Sequence, residues 1–214
     1  MSYEDDFEEA QNALQEHNLA TAYRLLKKCT ATRPGDYNAF LYLGIVLTEM
    51  GEYRDALATF KQCMNIDDKA PHAYSNMGIV YQKMNNLDEA LRHFYKATKL
   101  DPTDINTRLN LGITFYKTHN KELDALQEFK YVVEQDDTIP DAWHYLGLIF
   151  MDMQKKEFAL HCFLKAKELG FDDAEKNNEL IRDLKFDGIV AMNPLDDDVK
   201  DTAFITNKKD VSKR

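Results

Sequence analysis

The sequence predicts an all-α fold, an α-solenoid of five helical hairpins followed by a capping helix and a tail. Three observations carry this prediction. Glycine closes four similar strings, Phe40-Leu41-Tyr42-Leu43-Gly44, Tyr74-Ser75-Asn76-Met77-Gly78, Arg108-Leu109-Asn110-Leu111-Gly112 and Trp143-His144-Tyr145-Leu146-Gly147, at gaps of 34, 34 and 35 residues. After each glycine comes an alanine with a phenylalanine four residues later: Ala56 and Phe60, Ala90 and Phe94, Ala125 and Phe129, Ala159 and Phe163. Finally, Gly 8 and Pro 5 together make up about 6% of the 214 residues, about half of ordinary usage, and serine occurs only at Ser2, Ser75 and Ser212. Little material is left for long loops, so the period must be filled by helices joined through tight turns. Helical units of this length cannot each cover their own apolar face, but stacked neighbours can.

Within each copy, positions 4, 7, 8 and 11 follow i, i+3, i+4, i+7 spacing and positions 20, 24 and 27 follow i, i+4, i+7, which predicts two helices with one apolar stripe apiece. The first copy, residues 3–36, is degenerate, with Ala10 at the glycine position and then Ala22, Leu26, Cys29 and Pro34. The second spans 37–70. The third, 71–104, carries the fullest set: Tyr74, Met77, Gly78, Tyr81, Ala90, Phe94, Ala97 and Pro102. The fourth, 105–139, holds one extra residue, assigned to the turn within Thr118-His119-Asn120-Lys121-Glu122-Leu123 because Ala125 and Phe129 keep their spacing. The fifth is 140–173. Turn signals separate stripes at Met50-Gly51-Glu52 and Met84-Asn85-Asn86, and copies at Asp101-Pro102 and Ile139-Pro140. Residues 174–186 set Ala174, Leu180, Ile181 and Leu184 against Glu175, Lys176, Asn178, Glu179, Arg182 and Asp183, the pattern of a helix that caps the stack with a polar outer face. From Asp187 the periodicity dissolves, and 187–214 is expected to be an extended or disordered tail, with Phe186, Ile189, Val190, Met192 and Leu195 available for docking.

The copies resemble the tetratricopeptide (TPR) repeat, a 34-residue unit with a bulky residue at position 4, Leu at 7, Gly at 8, an aromatic near 11, Ala at 20, Phe at 24, a small residue at 27 and Pro at 32. The resemblance implies a right-handed solenoid whose first helices line a concave groove that holds a protein partner.

Composition narrows the function. Lys plus Arg is 27 against 37 Asp plus Glu, a net charge of -10, which argues against nucleic-acid and anionic-membrane partners. With 44% hydrophobic and 30% charged residues the chain is expected to be folded and soluble. Its longest apolar run, Ala39 to Leu47, is nine residues, so no membrane span is expected. The acidic opening Met1-Ser2-Tyr3-Glu4-Asp5-Asp6 does not read as a targeting segment, and Cys29, Cys63 and Cys162 form neither a disulfide framework nor a zinc pattern. A cytoplasmic, reducing location follows. The histidines His17, His72, His93, His119, His144 and His161 show no i, i+4 metal pair, the glycines all have turn or packing roles, and no nucleophile and base share a cleft. Neither catalysis, metal nor cofactor is expected, and a homo-oligomer is not indicated.

The groove is the informative surface. Subtracting the core stripe from each first helix leaves positions 2, 5, 6, 9, 12 and 13, from which the candidate partner-binding residues are drawn. They are Asn38, Tyr42 and Ile45 in the second copy, His72, Asn76, Ile79 and Lys83 in the third, Asn106, Asn110, Ile113 and Lys117 in the fourth, and His144, Tyr145 and Leu148 in the fifth. Position 9 reads Ile, Ile, Ile, Leu, an apolar rib bordered by amides and tyrosines that suits an extended or helical peptide. Asn76 and Asn110 at position 6 are similar to the asparagine ladder in the TPR superhelix of O-linked GlcNAc transferase, although Tyr42 and Tyr145 take the neighbouring rungs. The dicarboxylate clamp of chaperone-binding TPR proteins is not built here, since only Asn76 fits and Leu41, Ile45, Asn106 and Asn110 stand at its other places. The sequence therefore points to a non-catalytic adaptor or scaffold. The alternative is an integral structural subunit of a large assembly, ciliary, transport or secretory, that uses its convex face and tail.

Overall fold

A computed structural model of the chain describes residues 2–118 and 121–196. His119 and Asn120 of the expected insertion, and the expected tail beyond Asp196, lie outside the described residues. The protein is an all-helical α-solenoid with two compact halves that divide between Thr107 and Arg108.

In the N-terminal half, α1 (Tyr3–Gln15) and α2 (Leu19–Thr32), α3 (Tyr37–Glu49) and α4 (Tyr53–Ile66), and α5 (Pro71–Lys83) and α6 (Leu87–Leu100) form three hairpins, followed by the first turn of α7 (Ile105–Lys117). Each helix packs on the next through α6, and the first helices also touch one another, α1 on α3 and α3 on α5. The C-terminal half holds the rest of α7 with α8 (Glu122–Gln135), α9 (Pro140–Asp152), α10 (Lys156–Glu168) and α11 (Ala174–Phe186).

The sequence marks where each helix starts. Ser2 accepts from the Asp5 backbone N–H at 3.2 Å while the Asp5 carboxylate accepts from the Ser2 N–H at 2.8 Å, a reciprocal pair that satisfies two otherwise unpaired donors. Asn18, Asp36, Asn86 and Asp173 cap α2, α3, α6 and α11, while Pro71 and Pro140 open α5 and α9, where a missing N–H costs nothing. Between copies, Asp67, Asp101 and Asp136 each accept a backbone N–H from two residues ahead at 2.9 Å, fixing the same turn three times. Within the hairpins, His17, Gly51, Asn85 and Gln154 occupy equivalent turn positions with φ of 56°, 80°, 57° and 60°. The connection between Lys117 of α7 and Glu122 of α8 is one residue longer than the three-residue turns of the other hairpins, so the extra residue is absorbed outside the helices.

The core explains the recurring spacing inside each copy. A methyl group on Gly44, Gly78, Gly112 or Gly147 would fall 2.4, 2.7, 2.9 or 2.5 Å from the ring of Phe60, Phe94, Phe129 or Phe163, respectively. Each of these rings is fully buried. The absent side chain is thus the space in which the partner helix's phenylalanine lies. The three free cysteines are buried and pack as small apolar side chains, with burial pushing the Cys63 thiol up to about 12.

At the end of the C-terminal half, α11 packs on α10 through buried Ile181 and Leu184. After it, residues 187–196 are irregular but held. Lys156 pairs with Asp187 at 3.0 Å, the Met192 N–H donates to the Glu157 carbonyl at 3.1 Å, and Pro194 is buried.

Candidate functional site: the first-helix faces

In the N-terminal half, α3 and α5 lie side by side and present the candidate residues on one surface. Asn38 and His72 are exposed at its edge, and the Lys83 ammonium meets the Glu49 carboxylate at 3.5 Å across the two helices. Tyr42 is half-buried with its ring edge-on to Phe7 at 5.6 Å, and Ile45, also half-buried, packs against the core from above. Ile79 has the same intermediate exposure on α5. The Asn76 amide donates to the His72 carbonyl one turn back at 2.8 Å, which fixes its orientation on the helix surface. Asn106 is exposed at the start of α7, where its backbone N–H is held by Asp104 at 3.0 Å.

In the C-terminal half, Asn110 and Ile113 of α7 are half-buried and Lys117 is exposed. On α9, Tyr145 stacks on Phe129 at 5.3 Å with an interplanar angle of 5° and meets Tyr116 edge-on at 5.4 Å, while Leu148 is half-buried. Burial and the Asp141 carboxylate raise the Tyr145 phenol, and burial with Asp152 raises that of Tyr116, so both remain neutral hydrogen-bonding groups at ordinary pH.

His144 departs from the expectation: it is only 4% exposed and does not line the face. Its Nδ1 lies 3.2 Å from Asn177 Oδ1, its ring stacks on Phe171 at 4.0 Å, and the Asn177 amide donates to the Phe163 carbonyl at 2.8 Å. Position 5 of a first helix points toward the following hairpin, and for the fifth copy α11 takes that place. Ser75 at the same position is likewise buried, with its hydroxyl 2.8 Å from that of Thr107, and Thr48 at position 12 turns inward to the Gly44 carbonyl at 2.8 Å. Asn177 escapes the sequence pattern; its signal is a polar residue at a place where the helix needs an apolar one.

Among the described residues no group of three or more His, Cys, Asp or Glu side chains is placed to hold a metal ion, and no helix is long and apolar enough to cross a membrane. What the faces combine is neutral hydrogen-bonding chemistry with half-exposed aliphatic surface.

Two tetratricopeptide repeat family models match the chain, over residues 13–77 and 71–104. Residues 13–104 carry TPR repeats. A search among curated protein sequences gives no match. Among solved structures, the chain is similar to YrrB, described as a TPR protein with an unusual peptide-binding site, at 21% identity and a TM-score of 0.61 over 85% of this chain and 90% of that one. It is also similar to TTC0263, a thermophilic TPR protein of Thermus thermophilus, at 16% identity and 0.68 over 86% and 100%. The third is pilF of Pseudomonas aeruginosa, at 15% identity and 0.74 over 86% and 89%. These likenesses are of fold. TPR repeats are in general protein–protein interaction scaffolds.

Proposed function

We propose that this protein is a non-catalytic adaptor that binds an extended or helical peptide of a partner protein on its first-helix faces, in the reducing environment of the cytoplasm. The observation that carries the reading is the repeated pairing, in each half, of a half-exposed aliphatic residue with a half-exposed amide or phenol one turn away. Ile45 goes with Tyr42, Ile79 with Asn76, Ile113 with Asn110 and Leu148 with Tyr145. Half-exposed aliphatic side chains leave apolar area for a ligand to cover, and the amides and phenols supply backbone-directed hydrogen bonds. That a structural neighbour, YrrB, is described as having a peptide-binding site supports the same use of the fold. Asn38, His72, Lys83 and Asn106 are the polar residues beside the face of the N-terminal half, and Lys117 is that of the C-terminal half.

The test begins with peptides selected by the full chain from a display library, followed by calorimetry. Each amide hydrogen bond contributes on the order of 1 kcal/mol, so Asn76→Ala with Asn110→Ala weakens binding by about tenfold to thirtyfold while the melting temperature barely moves. Unaltered affinity would refute the site.

A second reading, an integral subunit of a larger ciliary, transport or secretory assembly, is favoured by one observation: Phe186 is 92% and Val190 79% exposed beside Met192 at 42%. Large apolar side chains left uncovered are what a built-in subunit buries. A monodisperse monomer in size exclusion favours the adaptor, and insolubility without partners favours the subunit.

A further inference from the structure

Arg92, Tyr95, Lys96 and Lys99 of α6 stand at i, i+3, i+4, i+7, the spacing that elsewhere in this chain marks a buried stripe. Here all four are exposed, Tyr95 at 50%. With Tyr74 of α5 and the His93 ring they line a pocket of about 420 Å³. His93 is only 8% exposed; it stacks on Tyr81 at 5.2 Å and leans toward Tyr74 at 6.3 Å, so the pocket has an aromatic floor and a basic rim. Tyr74 and Asn76 are two residues apart, about 200° around the helix at 3.6 residues per turn. The pocket therefore opens on the far side of α5 from the amide that faces the proposed peptide.

The charges at the rim are not fully matched from within. Arg92 Nε is held by Glu89 at 3.0 Å, and Lys96 Nζ lies 5.6 Å from the centroid of the Tyr74 ring. Among the described residues neither Lys96 nor Lys99 has a carboxylate within ion-pairing distance, and Lys61 of α4 adds a further positive charge felt at His93. This local excess of positive charge sits on a chain whose net charge is -10. Such an arrangement discriminates by size. A long polyanion or an anionic membrane meets the acidic remainder of the surface, whereas a short segment with a few carboxylates, reaching no further than the screening length of about 10 Å, feels mainly the pocket. Tyrosine rings at the floor and rim suit the methylenes and peptide groups between those carboxylates.

We propose that this pocket is a second docking site, for a short Asp- and Glu-rich segment of a partner protein. Carboxylates meet Lys96 and Lys99, the intervening chain lies over Tyr74 and Tyr95, and Arg92, already oriented by Glu89, closes one end. Combined with the first-helix reading above, on which the pocket itself does not depend, this makes the chain a bridge between two proteins.

The test uses the full chain and a fluorescein-labelled peptide of alternating Glu and Asp, three residues long and so about 10 Å when extended, read by fluorescence anisotropy at about 0.1 M salt. The expected result is saturable binding that a Gln and Asn counterpart lacks and that falls by about tenfold in Lys96→Gln with Lys99→Gln, as the loss of two partly exposed ion pairs requires. Lys130→Gln with Lys165→Gln removes the same charge elsewhere and leaves binding intact. Thermal melts of both double variants, expected to match the wild type, separate loss of the site from loss of the fold. An equal loss in the control pair, no binding of the acidic peptide, or tighter binding of a six-nucleotide oligonucleotide or of phosphatidylserine vesicles would overturn the proposal.

Discussion

Replacing the packing glycines by alanine tests the core most directly, because the four sites form a graded series within one protein. Reaching ordinary van der Waals contact at 3.4 Å requires the facing phenylalanine to withdraw by about 1.0 Å at Gly44, 0.9 Å at Gly147, 0.7 Å at Gly78 and 0.5 Å at Gly112. Overpacking a rigid core costs about 1–3 kcal/mol, and alanine recovers about 1 kcal/mol of helix propensity, so the two effects oppose each other. Gly44→Ala is expected to lose about 2 kcal/mol net, and Gly112→Ala to come out near zero, with Gly147 and Gly78 between them in that order. For a chain of this size, 2 kcal/mol corresponds to a fall of about 4–8 °C in melting temperature, well resolved by far-UV circular dichroism. Adding Phe60→Leu to Gly44→Ala supplies the internal check. The smaller side chain makes room for the methyl group, so the double variant loses less than the two single variants together. A stabilised Gly44→Ala, a scrambled rank order or simple additivity with Phe60→Leu would each refute the account of these glycines as room for a ring.

Two further outcomes follow from buried groups at the C-terminal end and along the core. His93, His144 and His161 have pKa values held below 6.5, chiefly by burial, so the unfolded chain takes up protons that the folded chain resists; their stabilisation is complete above pH 6.5 and is lost as pH falls through the depressed values. Melting curves between pH 7.5 and 5 should therefore shift downward on acidification, and His144→Gln, which keeps a hydrogen-bonding group before Asn177 in a setting that also includes Lys176, Asp173 and Asp141, should flatten part of that shift. Leu184→Ala, at a side chain 2% exposed, is expected to cost about 2–4 kcal/mol in urea denaturation, whereas Phe186→Ser two residues on, at 92% exposure, should stay within about 0.5 kcal/mol.

The fold class was legible because its signal repeats: the same glycine, alanine and phenylalanine recur in step, and each copy checks the others. That the recurring glycine and alanine mark a close approach of the two helices was legible too, but the ring that fills the space was not: the pattern pairs Gly44 with Ala56, and the structure sets the Phe60 ring against it. What the pattern could not resolve is where a polar residue at a nominally exposed place turns. Ser75 and His144 share position 5, and both are buried because the following element covers them, in one case the first turn of α7 and in the other α11. That depends on a neighbour's side chains, Thr107 and Asn177, and not on the periodicity of the helix that carries the residue. The basic pocket on α6 was not legible: Arg92, Tyr95, Lys96 and Lys99 lie off the Ala90, Phe94 and Ala97 core stripe, and only the fold shows that this outer face stands beside the Tyr74 and His93 rings.

The hairpin turns have a bearing on how this protein changes over time. Four of them hold one residue in left-handed backbone, and only Gly51 has no side chain to object; at His17, Asn85 and Gln154 the steric conflict of an L-residue costs about 1 kcal/mol each, least for asparagine. None of these four residues is a candidate partner-binding residue or lines the α6 pocket. They form a reserve of stability separate from recognition: a lineage that acquires a destabilising but useful change in a binding surface has two or three glycine replacements at hand that restore the melting temperature without altering what is bound.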